Sequence, residues 1–84
     1  MTLRSLCETL TFAHPFLLPG LAKALPAGAY NVEHEEELID GLTFPVYRRT
    51  LTYFYVPDRR GGSRTFRLLP EELETILARE KLAP

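Results

Sequence analysis

Leu10, Phe12, His14, Phe16 and Leu18 recur at every second position, the period of a strand with one buried face. Pro15 points the other way and places this strand at an edge or at a bulge, and Pro19-Gly20 ends it. Residues 21–25 read as a short irregular or single-turn connection. Pro26-Ala27-Gly28 then reads as a tight turn, with proline presetting φ and glycine free to take a positive value. Beyond it Tyr30, Val32 and His34 alternate with Asn31, Glu33 and Glu35. This predicts a half-buried strand whose outer side is a row of carboxylates facing water. Asp40-Gly41 supplies a hairpin signal after Leu38-Ile39.

A second long strand is predicted over residues 42–56, rich in β-branched and aromatic residues. Its phase is mixed. Phe44, Val46, Phe54 and Val56 share one parity, and Tyr47, Leu51, Tyr53 and Tyr55 share the other. A bulge or sharp bend near Arg48-Arg49-Thr50 reconciles them. Residues 58–63, with Gly61-Gly62, read as a hairpin loop, and residues 64–68 as a shorter strand with Phe66 and Leu68 inward. The chain closes with a predicted helix at 70–80. Pro70 suits its first position, Glu71 and Glu72 its first turn, and Arg79 and Lys81 its end. Leu73, Ile76 and Leu77 give that helix one narrow apolar stripe for docking on the sheet.

The pattern predicts a mainly β (α+β) fold: a small, bent antiparallel sheet of four or five strands, an SH3-like roll or partly open barrel, capped by one C-terminal helix. The 84 residues form one domain, 1–84, with residues 1–8 read as a mobile N-terminal tail. Ten basic against eleven acidic residues give a formal charge of −1, which removes the overall attraction to nucleic acid or anionic lipid. The distribution is more informative. Glu33, Glu35, Glu36, Glu37 and Asp40 crowd one segment, and Arg48, Arg49, Arg59, Arg60, Arg64 and Arg67 crowd the next, a layout suited to pairing within the chain or with a partner. Cys7 is the sole cysteine, so no internal disulfide forms, in keeping with a reducing, cytoplasmic location. No run of roughly 18 apolar residues offers a membrane span.

Several constellations touch on chemistry. His14 and His34 share an inward phase, with Glu36 two residues beyond the second, but they lack the spacing of a metal site, and no metal or cofactor is expected. Tyr47-Arg48-Arg49 and Tyr53-Phe54-Tyr55 mix cations with rings, the ingredients of single-stranded nucleic-acid binding, beside a glutamate run that repels phosphate. Glu33 and Glu35 face water, where nothing raises a carboxyl pKa toward acid–base work. Nucleophile elbow, phosphate loop, paired-cysteine motif and HExxH are all absent from the sequence, so an enzyme is not expected.

The wording Phe16-Leu17-Leu18-Pro19-Gly20, Leu25-Pro26-Ala27-Gly28-Ala29-Tyr30-Asn31-Val32-Glu33, Glu35-Glu36-Glu37 and Tyr47-Arg48-Arg49-Thr50 resembles a group of short uncharacterised proteobacterial proteins over about residues 9–80. Ala29 stands where that pattern has a β-branched or hydroxyl residue. The group carries no established activity, so the resemblance assigns no functional residue. The residues themselves lead to a non-catalytic interaction module that binds a protein partner or itself. Its candidate binding residues are Arg48, Arg49, Arg59, Arg60, Glu33, Glu35 and Glu37. A nucleic-acid-binding small β-barrel is the alternative, and no membrane partner is expected.

Overall fold

The computed structural model describes residues 3–39, 41, 43–58 and 60–82. Four strands, β1 (Leu3–Phe12), β2 (Gly28–Ile39), β3 (Val46–Pro57) and β4 (Ser63–Leu68), precede one helix, α1 (Pro70–Leu82). The strands pair antiparallel in chain order as an open meander, β1-β2-β3-β4. This is the small antiparallel sheet with one C-terminal helix that the alternation predicts.

Residues 3–8, expected as a tail, are strand: Leu3 pairs with Glu37 and Glu8 with Val32. Side chains from Leu3 to Thr9 are exposed, which leaves no apolar period to read there, and the backbone ladder to β2 holds the segment instead. At its other end β1 stops at Phe12, short of the strand expected through Leu18. Pro15 lacks the amide that a ladder needs. Phe16 and Leu25 then form a separate bridge, with N–H···O distances of 3.0 and 2.7 Å. The alternation survives as burial: Phe12, Phe16 and Leu18 all enter the core, while His14 is half-buried.

The turn before β2 needs Gly28, whose φ of +150° disfavours any residue with a Cβ. Tyr30, Val32 and His34 then point inward as expected. Asp40 and Leu42, part of the predicted hairpin, lie outside the described residues, whereas Gly41 has the positive φ of a turn, +86°. β3 begins at Val46 and not at residue 42. Pro45 marks the shift, because a proline has no amide to give the ladder with β2, the neighbour of β3 at this end.

The expected bulge is present. Glu35 faces Leu51 and Glu36 faces Arg49, so Thr50 is the extra residue, and its hydroxyl donates to the Glu35 carbonyl at 3.2 Å. The extra residue inverts the parity of everything before it. Tyr47 and Arg49 therefore share the inner face with Thr52 and Phe54, and Arg48 moves to the outer face with Tyr53 and Tyr55.

On the inner face Phe54, with no exposed surface, packs among Phe12, Phe16 and Tyr30 at centroid separations of 6.1, 5.7 and 5.4 Å. The Tyr30 hydroxyl donates to the Pro26 carbonyl at 2.6 Å, so a buried polar atom is satisfied and the turn is tied to the core. α1 lays Leu73 and Ile76 on this cluster, with Leu77 beside them. Its start is capped by Glu72, whose carboxylate accepts the Leu69 amide at 2.8 Å. Near its end Glu80 accepts the Ala13 amide and lies 3.3 Å from His14 Nδ1.

Candidate functional site

Core residues occupy one parity of each strand, and the opposite parity forms the outer face of the sheet. On β2 this face carries Asn31, Glu33, Glu35 and Glu37. Their cross-strand neighbours on β1 are Thr9, Cys7, Ser5 and Leu3, and on β3 they are Tyr55, Tyr53, Leu51 and Arg48. The helix stripe and the 13–27 segment both pack on the other side, so the described residues leave this face without a covering layer.

Neighbouring side chains hold the carboxylate row in place. The Tyr55 hydroxyl donates to Glu33 at 2.8 Å, the Tyr53 hydroxyl donates to Glu35 at 3.1 Å, and Arg48 donates to Glu37 at 2.8 Å. The acceptor carboxylates push both tyrosine hydroxyls above the ordinary tyrosine pKa, an effect reinforced by partial desolvation. Glu37 is neutralised by its arginine. Glu33 and Glu35 are oriented by neutral donors, and Arg67 of β4 stands opposite Tyr53 on the same face. Beyond them the face deepens into an open trough of about 640 Å³ lined by Cys7, Thr9, Asn31, Tyr55, Pro57 and Ser63.

The expected binding residues do not form one patch. Glu33, Glu35, Glu37 and Arg48 share the outer face, while the bulge turns Arg49 to the inner side, where it approaches Glu36 at 3.4 Å. Glu36 is buried and receives the Arg4 Nε at 2.8 Å as well. That hydrogen bond is the main reason its pKa lies below the usual carboxylate range, against the opposing effect of desolvation. Arg60 is exposed in the β3–β4 loop, its amide donating to Asp58 at 3.3 Å, and Arg59 lies outside the described residues. Sequence reasoning placed Tyr53 and Tyr55 among core or stacking aromatics and missed their role as carboxylate partners. The signal was their parity, opposite to that of Phe54.

The histidines do not come together. His34 is buried between Thr52, 2.8 Å from Nδ1, and Glu8, 2.8 Å from Nε2, whereas His14 sits beyond the end of β1 against Glu80. Among the described residues no group of three or more His, Cys, Asp or Glu is arranged to hold a metal ion, and no helix is long and apolar enough to cross a membrane. No family model, curated protein or solved structure matches the chain.

Proposed function

We propose that the chain is a non-catalytic interaction module that binds a protein partner or a second copy of itself, and that the outer face of the sheet receives the partner. One observation carries this reading: Glu33 and Glu35, two residues apart on β2, are held by the Tyr55 and Tyr53 hydroxyls, with no ion pair of their own among the described residues, on a face that the described fold leaves uncovered. The fitting occupant is an extended protein segment with lysine or arginine at alternate positions, matching the two-residue spacing of the carboxylates. The bend at Thr50 belongs to the same reading, as the feature by which an SH3-like roll would curve this face around a ligand. A cytoplasmic setting is also part of it, supported by the exposed, unbridged thiol of Cys7.

Nucleic-acid binding is the weaker reading. Arg48 and Arg49 already face Glu37 and Glu36, and phosphates brought to the tyrosines would meet Glu33 and Glu35. The test is a fluorescence-anisotropy titration of the full chain against a labelled peptide of alternating lysine and threonine and against single- and double-stranded oligonucleotides. The peptide should bind, the oligonucleotides should not, and Glu33→Gln with Glu35→Gln should remove the peptide signal. Salt-sensitive oligonucleotide binding at micromolar concentration, with no peptide binding, would replace this reading with the nucleic-acid one.

A further inference from the structure

β1 is an edge strand of ten residues, Leu3–Phe12, with one free side. Natural edges are usually blunted by proline, charged side chains, a bulge or shortness, and β1 carries only the charges of Arg4 and Glu8. β1 contains neither proline nor lysine, and its register with β2 runs unbroken from Leu3 to Phe12. Leu3 and Leu6 are 55% and 42% exposed on it. Such a strand asks for a partner.

We propose that β1 pairs antiparallel with β1 of a second copy, about a two-fold axis through Leu6, joining two four-stranded sheets into one. This rests on the self-binding half of the reading above. The register follows from charge. Centring on Leu6 sets Arg4 opposite the partner's Glu8 at both ends of the axis, Leu6 against the partner's Leu6, and Ser5 against the partner's Cys7. Centring on Arg4 or on Glu8 sets like charges face to face. Centring on Ser5 or Cys7 sets a charge against leucine. Of these five registers, the Leu6 one alone sets unlike charges opposite each other at both ends, and as an isologous pairing it closes at two copies.

Both charged groups are held ready. Arg4 donates its Nε to Glu36 at 2.8 Å and sets its Cζ 3.6 Å from the centre of the Tyr47 ring, which leaves the rest of its guanidinium fork for a second carboxylate. Glu8 presents one oxygen to His34 at 2.8 Å, while its side chain remains 52% exposed. Ordering by their own chain lowers the entropic cost of the intermolecular pair. The pairing also keeps both helices on one side, so the two outer faces join into a single longer face.

Sedimentation equilibrium of the full chain tests this, with circular dichroism confirming that each variant folds. The wild type should form a reversible dimer. Arg4→Glu and Glu8→Arg should each raise the dimer Kd by roughly tenfold or more, through like-charge contacts at both ends of the axis. An equimolar mixture of the two variants should restore dimers, because opposite charges then meet in the heterodimer. If either charge variant fails to fold, Leu6→Cys combined with Cys7→Ser should cross-link through the axis under mild oxidation. The proposal is overturned by a wild type that stays monomeric to about millimolar concentration. It is equally overturned by a mixture no tighter than its components, by absence of the cross-link, or by open-ended growth, which would indicate pairing of β1 with β4. A monomer that still binds the cationic peptide removes this proposal alone. A dimer that ignores the peptide removes the outer-face reading alone.

Discussion

Phe54 has no exposed surface and touches every other ring of the cluster, so Phe54→Ala should cost about 3 to 5 kcal/mol in a denaturant melt. Tyr30→Phe keeps the ring and removes only the bond to the Pro26 carbonyl, for a loss of about 1 kcal/mol. A Cβ at Gly28 would meet open space, so the cost of Gly28→Ala, about 1 to 3 kcal/mol, comes from the backbone angle alone. The titrating residues set stability at both pH extremes. Tyr53 and Tyr55 hold their protons more tightly folded than unfolded. Their contribution is therefore complete below the ordinary tyrosine pKa and is lost as pH rises through the higher folded values. Glu36 has the opposite sign: its contribution is present above the ordinary carboxylate pKa and is lost as pH falls through the depressed folded value. Melting midpoints across alkaline pH should flatten in the Tyr53→Phe, Tyr55→Phe double variant, and the acid limb should shift only on Glu36→Gln.

At the scale of elements, legibility in the sequence followed burial. β2, β4 and α1 each place apolar residues on one side at a regular period, so their positions could be read directly, Tyr30 and Val32 inward and Leu73 and Ile76 on the sheet. The first half of β1 buries nothing, and a strand held only by its ladder leaves no mark in the hydrophobic pattern. The carboxylate row was legible as a row, but its partners were not. They depend on a register that a single inserted residue, Thr50, sets between β2 and β3. Deleting Thr50 should remove the bulge and leave regular alternation in β3 with every side chain on its present face, Arg48 outward and Tyr47 inward. The expected result is a retained cooperative melt with Tyr53 still on Glu35 and Tyr55 still on Glu33, read by NMR; exchange of those partners would contradict the register. α1 covers the cluster around Phe54, so Ile76→Asp should bury an unpaired charge and cost several kcal/mol.

The whole molecule measures 44 × 32 × 20 Å, a slab whose thinnest dimension fits two layers, the sheet and what packs on its inner face. Two surfaces are then left unfinished: the outer face and the β1 edge. Charge is sorted between them and the rest. Arginines on the inner side and at the strand ends find carboxylates of their own chain, Arg4 and Arg49 at Glu36 and Arg48 at Glu37, while Glu33 and Glu35 have only tyrosine hydroxyls. The separation into acidic and basic segments visible along the sequence is thus partly cancelled in space, and the uncovered face keeps Glu33 and Glu35 with Arg67 of β4 opposite Tyr53 beside them. Residue-resolved NMR of the full chain titrated with the lysine–threonine peptide tests this most directly. Shifts should concentrate on Asn31, Glu33, Glu35, Tyr53 and Tyr55 and weaken with added salt. Shifts confined to Arg60 and Arg64, appearing with an oligonucleotide and not with the peptide, would contradict the account.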